Sequence, residues 1–223
     1  MLLRLENILD AEQLSVVVQR LRQEKFVDGR LSAGDRARVA KVNKELSGHL
    51  TNVAPINNIV MGALLQHPVY RHGGLAHRIA APIYSMYQVG MKYGRHIDDP
   101  IMGHPNYYRS DIAITIFLNS PEDYGGGELE IETEFGRQQI KEPAGNGVMY
   151  PASSCHQVCE VTEGERLVAI TWMQSLVPEP ERRRILYELY QAKERLIQQG
   201  ADTQAIDKIE HSYVNLVRMW SHV

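Results

Sequence analysis

Between Leu75 and Met173 the apolar residues recur with a period of two, and turn residues interrupt them at short intervals. Ile112, Ile114, Ile116 and Leu118 alternate with Asp111, Ala113, Thr115 and Phe117, which predicts a half-buried strand. Ile83, Ser85 and Tyr87 alternate with Tyr84, Met86 and Gln88 in the same way, before Gly90 and Gly94 break the run. Leu129 and Ile131 alternate with Glu128, Glu130 and Glu132, and Gly136 predicts a hairpin into the next strand. Pro143 to Gly147 predicts a tight turn before Val148-Met149-Tyr150, and Glu163-Gly164 a hairpin between His156–Val161 and Arg166–Met173. Many short strands without intervening helices exclude βαβ units and indicate a sandwich or barrel.

The flanks read differently. Leu3 and Leu5 suit a short strand, and Asp10 with Gln13 forms a capping box for a helix with the stripe Leu14, Val17, Val18 and Leu21. Asp28-Gly29 predicts a hairpin turn; Val39, Val42 and Leu46 predict one helix, and Ile56, Ile59, Val60, Ala63 and Leu64 another that stops before Pro68. None of these stretches carries a chemical motif. After Pro180 two helical stripes follow: Ile185, Leu189, Ala192 and Leu196, ended at Gly200, then Ile209, Tyr213, Leu216, Val217 and Trp220. The expected division is a helical and strand buttress at 1–74, the β core at 75–177 and an antiparallel helical pair at 178–223. The second stripe must bury against its own core or a partner, and the latter predicts a homodimer.

Composition narrows the classes. A chain of 223 residues with 43% apolar content can bury one sizeable core. A net charge of -3 with scattered basic residues excludes a nucleic-acid footprint; Arg182-Arg183-Arg184 suits a solvated helix face. Two cysteines are too few for a disulfide framework. Charge in Met1-Leu2-Leu3-Arg4-Leu5-Glu6 argues against a signal peptide, and the run Leu167–Met173 is too short to span a bilayer. A cytoplasmic protein without membrane contact is expected.

The chemistry concentrates in His96-Ile97-Asp98, His156 and Arg166. On an extended chain His96 and Asp98 project to one side, and His156, at the start of another strand, supplies a third ligand. Two imidazoles and one carboxylate on one face of a metal leave positions open, the pattern of non-haem Fe(II) oxygenases. Arg166 shares a strand face with Val168, Ile170 and Trp172; it either binds an anion from an apolar wall or lies in water on an edge strand. Cys155 and Cys159 face opposite to His156 and cannot share its metal. Asp111 is a rival ligand without a histidine partner, and His67, His72, His77 and His104 suit solvated loops. Gly125-Gly126-Gly127 suits a bulge or rim loop rather than a phosphate loop. Tyr107-Tyr108-Arg109 suits a substrate rim or an exposed polar loop.

The series Tyr87-x-x-Gly90-x-x-Tyr93-x-x-His96-x-Asp98, His156 and Arg166 resembles the prolyl 4-hydroxylase-like branch of the Fe(II)/2-oxoglutarate-dependent dioxygenases. With Tyr124-Gly125-Gly126-Gly127-Glu128-Leu129, Tyr150-Pro151-x-Ser153-Ser154-x-His156 and Trp172-x-Gln174-Ser175, the chain resembles the bacterial PKHD-type hydroxylases over most of its length. The resemblance implies a double-stranded β-helix, or jelly roll, with His96, Asp98 and His156 on Fe(II). It also implies Arg166 on the distal carboxylate of 2-oxoglutarate, Tyr87 as a hydrogen-bond donor there, and no catalytic side chain beyond these ligands. Such enzymes hydroxylate a C–H bond with O2, convert 2-oxoglutarate to succinate and CO2, and commonly use L-ascorbate as reductant. Two rival readings are a non-catalytic iron or 2-oxoglutarate sensor and a cupin-like metal enzyme that ignores 2-oxoglutarate. Prolyl or lysyl residues, free amino acids and small metabolites all fit as substrate.

Overall fold

The alternating stretch Ile112–Phe117 is a central strand, and it is buried on both faces rather than one. The computed structural model describes residues 1–32, 35–47 and 53–223. In chain order the strands are β1 (Leu3–Leu5), β2 (Phe26–Asp28), β3 (Lys41–Val42), β4 (Lys44–Leu46), β5 (Ala76–Ile79), β6 (Ile83–Gln88), β7 (Lys92–His96), β8 (Ile101–Met102), β9 (Tyr108–Arg109), β10 (Ile112–Phe117), β11 (Tyr124–Gly126), β12 (Leu129–Thr133), β13 (Gly136–Ile140), β14 (Gly147–Pro151), β15 (His156–Val158) and β16 (Val161–Ser175). The helices are α1 (Ala11–Arg22), α2 (Asp35–Ala40), α3 (Ala54–Gln66), α4 (Pro180–Gln198) and α5 (Thr203–Trp220).

The larger sheet runs β1-β14-β10-β16-β6-β4-β2, with β5 and β11 also on β16; the smaller runs β13-β12-β15-β7-β3. Every pairing is antiparallel. Ala113, Phe117 and Val168 of the larger sheet pack with Leu129, Ile131 and Val158 of the smaller one, which is the inside of a jelly roll. Ile112, Ile114 and Ile116 point the other way, onto Val17 and Leu21 of α1 and Ile56, Val60 and Leu64 of α3. The helices therefore cover what would have been the solvent face of β10. The capping box forms as expected: Gln13 N donates to Asp10 Oδ1 at 2.8 Å, and Asp10 N to Gln13 Oε1 at 3.2 Å.

Four local readings need correction. Asp28-Gly29 is not a hairpin turn; the chain enters a 3-10 turn at Gly29–Ser32, and β2 pairs with β4 instead. Val39, Val42 and Leu46 do not share a helix, because α2 ends at Ala40 and two short strands follow. β3 pairs with β7 of the smaller sheet and β4 with β6 of the larger, so the chain steps between sheets at Asn43. Glu163-Gly164 lies inside the continuous strand β16, where Gly164 opposes Tyr124 of β11. A Cβ there would stand 2.1 Å from the Asp123 carbonyl oxygen, so close approach rather than a turn demands the glycine. In α4 the buried residues are Arg183, Leu186 and Tyr187, while Ile185 is exposed. Arg183 Nη1 donates to the carbonyls of Val177 and Pro178, both at 2.7 Å, and this docking sets the buried face.

The glycine run Gly125–Gly127 forms the expected bulge, with a register shift between Gly125 and Gly126 against β16. Residues of the 1–74 stretch contribute β1 to β4 to the two sheets, and α5 packs on α4. Among the described residues no helix is long and apolar enough to cross a membrane.

Gly126 has φ +64°, and a Cβ on it would lie 2.1 Å from the Glu160 carbonyl oxygen. Gly126→Ala is expected to destabilise the fold by about 2 kcal/mol or more, from left-handed strain of about 1–2 kcal/mol plus the backbone clash. At roughly 2–4 °C per kcal/mol for a chain of this size, thermal unfolding followed by circular dichroism would show a drop of at least about 4 °C. An unchanged midpoint would show that the bulge adapts.

Candidate active site

β7 and β15 are neighbours in the smaller sheet, and their register sets His156 directly opposite His96. Asp98 follows two residues after His96, just past the end of β7, and still projects to the same side. His96 Nε2 and His156 Nε2 stand 3.8 and 3.7 Å from Asp98 Oδ1, and the three ligand atoms lie within 4.8 Å of one another. These distances are too long for hydrogen bonds.

The orientation of each group is fixed from behind. His96 Nδ1 faces the Gly94 carbonyl at 2.8 Å, and His156 Nδ1 faces the Ser154 carbonyl at 2.9 Å. A carbonyl only accepts, so each Nδ1 carries the proton and each Nε2 turns its lone pair inward. Trp172 Nε1 donates to Asp98 Oδ2 at 2.9 Å, leaving Oδ1 for the cluster. The Tyr93 ring stacks on His96 with centroids 3.6 Å apart, and Tyr150 meets His156 edge-on at 5.2 Å. Burial, reinforced by His156, pushes the His96 pKa down to about 3. Burial also raises the Asp98 carboxyl, outweighing His156 and the Trp172 hydrogen bond. Both shifts oppose a simple ion pair; three donors closely packed with little charge compensation are suited to a cation.

A cavity of about 100 Å3 opens beside the cluster, with Arg166, Tyr87, Thr115, Ile170 and Trp172 also on its wall. Arg166 is only 1% exposed, yet its Nε and Nη1 have no hydrogen-bond partner among the described residues. The guanidinium carbon lies 5.1 Å from the Tyr87 ring centroid and 5.5 Å from that of Phe117. β6 pairs with β16 so that Tyr87 sits opposite Arg166, and its hydroxyl has no hydrogen-bond partner within 3.5 Å among the described residues. Burial raises the Tyr87 pKa to about 12, against the pull of Arg166, so the hydroxyl remains a donor. A buried cation beside donors without acceptors has the chemistry to receive a carboxylate.

The rival groups stand apart. Cys155 and Cys159 are free thiols outside the cluster. Asp111 accepts from Arg109 Nε at 2.5 Å and from the Ser175 amide at 2.8 Å. Tyr107 is exposed, and Tyr108 and Arg109 form β9 on β8, whose Met102 lines the cavity. Sequence reasoning missed Lys41 and Glu45, which also line the cavity; their signal was hidden because they sit on two different short strands. Trp172 was recognised only as part of a motif, with no role attached to its indole.

The family model for the 2OG-Fe(II) oxygenase superfamily matches residues 82–174, which hold the cluster and Arg166. The model for the PKHD-type hydroxylase C-terminal domain matches residues 181–222. The fold and this match define a dioxygenase, an oxidoreductase of a superfamily that implies Fe(II), 2-oxoglutarate and O2. A PKHD-type hydroxylase of Thioalkalivibrio sulfidiphilus is 43% identical over 224 residues, covering 100% of both chains. One of Burkholderia ambifaria is 37% identical over 225 residues, covering 99% of each. The chain belongs to the PKHD-type hydroxylase family. Solved structures share the fold. A Trichoplax adhaerens prolyl hydroxylase in complex with a hypoxia inducible factor peptide aligns with TM-score 0.59 and 16% identity, covering 83% of this chain and 86% of that one. A Pseudomonas putida prolyl-4-hydroxylase aligns with TM-score 0.52 and 17% identity, covering 78% and 92%.

An unsatisfied buried cation costs stability. Arg166→Met keeps an unbranched apolar stem and removes the charge, so the metal-free protein without 2-oxoglutarate should gain about 1–3 kcal/mol. Calorimetry should show a higher unfolding midpoint for the variant. A clear loss of stability would mean that Arg166 is a structural cation already satisfied in the resting protein.

Proposed function

We propose that the cavity hydroxylates a C–H bond of its substrate while 2-oxoglutarate is oxidised to succinate and CO2. One oxygen atom of O2 enters the C–H bond, the other enters succinate, and the carboxyl group next to the keto carbon leaves as CO2. The observation that carries this reading is that Arg166 Nε and Nη1, on the wall of the same cavity as the His96, Asp98 and His156 cluster, have no hydrogen-bond partner among the described residues. A metal enzyme that ignored 2-oxoglutarate would have no use for a buried, unsatisfied cation there.

Each side chain has a defined part. His96 Nε2, Asp98 Oδ1 and His156 Nε2 would hold Fe(II). Fe(II) bound there supplies the redox chemistry with O2 that no protein side chain offers. Trp172 keeps the Asp98 carboxylate from rotating. Arg166 takes the distal carboxylate of 2-oxoglutarate through two parallel hydrogen bonds, and the Tyr87 hydroxyl gives a further one. The apolar wall around Arg166 excludes water and strengthens both contacts. Tyr107, Tyr108 and Arg109 lie toward the substrate rim, with Arg109 held to Asp111. L-Ascorbate enters the same reading as an external reductant.

Two experiments test the roles separately. Asp98→Ala and His156→Ala should each lose tight Fe(II) binding while circular dichroism shows an unchanged fold, since two protein ligands remain. Full iron occupancy in either folded variant would overturn the triad. Arg166→Ala should retain iron but bind 2-oxoglutarate roughly 30- to several-thousand-fold more weakly, the equivalent of about 2–5 kcal/mol for a broken buried charge pair. Arg166→Lys should fall between, because the ammonium lacks the fork. Anaerobic titration of 2-oxoglutarate into the Fe(II) protein measures this, and equal affinity in wild type and Arg166→Ala would place the clamp elsewhere.

A further inference from the structure

The cavity has a second charged wall that the co-substrate reading does not use. Lys41 Nζ lies 2.6 Å from Glu45 Oε1, and both side chains are more than nine-tenths buried. Lys41 belongs to β3 on the smaller sheet and Glu45 to β4 on the larger, so their ion pair bridges the two sheets. Glu45 sits opposite Ser85, two positions along β6 from Tyr87. The Lys41 ammonium stands 5.3 Å from the Tyr93 ring centroid, and that ring stacks on His96. The pair is therefore one aromatic ring away from the cluster. Among the described residues on the cavity wall, the only other formal charges belong to the cluster, Arg166 and Asp99.

A buried ion pair is a poor way to stabilise a fold, because desolvation cancels most of the attraction. Placed on a cavity wall, it offers a ligand one cation and one anion side by side. A ligand with one charge leaves the other ion with nothing gained, and an apolar ligand gains from neither. The complement is a small molecule whose own ammonium and carboxylate sit close together. A free α-amino acid has both on one carbon.

Resting on the hydroxylase reading above, we propose that the substrate is a free α-amino acid, its carboxylate on Lys41 and its ammonium on Glu45. This docking fixes the head group and leaves the side chain to present a C–H bond toward the cluster.

The test is calorimetric titration of the twenty common free L-amino acids into Zn(II)-loaded wild-type protein saturated with 2-oxoglutarate. At least one should bind, and its N-acetyl and methyl-ester derivatives should each bind about 10- to 100-fold more weakly, the range for losing one hydrogen bond to a charged group. Glu45→Gln should weaken the amino acid but not its N-acetyl derivative, and Lys41→Met should weaken the amino acid but not its ester. Both variants should keep wild-type affinity for 2-oxoglutarate. In the Lys41→Met/Glu45→Met double variant, apolar side chains preserve the contact between sheets; retention of amino-acid binding there would show a clamp only and overturn the proposal. Binding by none of the twenty, or binding only by N-blocked peptides, would overturn it as well. If wild type fails to bind 2-oxoglutarate itself, the hydroxylase reading falls and this inference falls with it, a result distinct from the others.

Discussion

The site depends on one register: His156 of β15 opposite His96 of β7. Successive residues on a strand point to opposite faces, so a slip by one position would send His156 out of the sandwich. The core fixes the register, since Leu129, Ile131 and Val158 must point inward in the same sheet. The bulge between His156 and Val158 re-aims the strand at the point where it meets the cluster. Packing and chemistry are thus set by the same alternation. The backbone also chooses the tautomers, because the two carbonyls that orient the imidazoles each lie two residues before the histidine they face.

What was legible in the sequence follows from the distance over which each signal acts. His96 and Asp98 are two residues apart, so strand geometry alone brings them together. Arg166 was legible because Val168, Ile170 and Trp172 share its face, and the structure puts Ile170 and Trp172 on the same cavity wall. The jelly roll was legible in outline, because alternating strands and turns leave few alternatives. Lys41 and Glu45 were not legible, because β3 and β4 have two and three residues, too short for any period. Their i, i+4 spacing imitates a helix, and the kink at Asn43 that carries the chain between sheets has no local signature. Gly164 was misread for a related reason: a Glu-Gly pair reads as a turn unless one knows that β11 presses against it. The face of α4 was misplaced because Arg183, a charged residue, is among those that dock.

The family's two models meet the structure at different places. The oxygenase match at 82–174 spans the cluster, Arg166 and the strands that carry them. Lys41 and Glu45 lie before it, on strands that complete both sheets. The common chemistry is thereby placed in the central strands, and the added segment lines the remaining side of the cavity. A division of this kind lets one catalytic arrangement serve different substrates, since the wall contributed from outside the match can vary without disturbing the cluster.

A comparison among buried charges sets Arg166 apart. Glu130 is as well hidden, but its carboxylate accepts from Gln157 Nε2 at 2.8 Å and from Arg137 Nη1 at 3.2 Å. Arg183 is also buried, and its Nη1 donates to two backbone carbonyls at 2.7 Å each. Both charges have their compensation built into the protein. Arg166 lies against the faces of two aromatic rings, which attract a cation but accept no directed hydrogen bond. Two of its nitrogens and the hydroxyls of Tyr87 and Tyr124 are left without partners. A folded chain tolerates such a deficit when something else makes it good, and an acceptor with two oxygens in one plane matches what the fork of Arg166 lacks. On the proposed reading, the carboxylate of 2-oxoglutarate would supply the acceptor that this fork lacks.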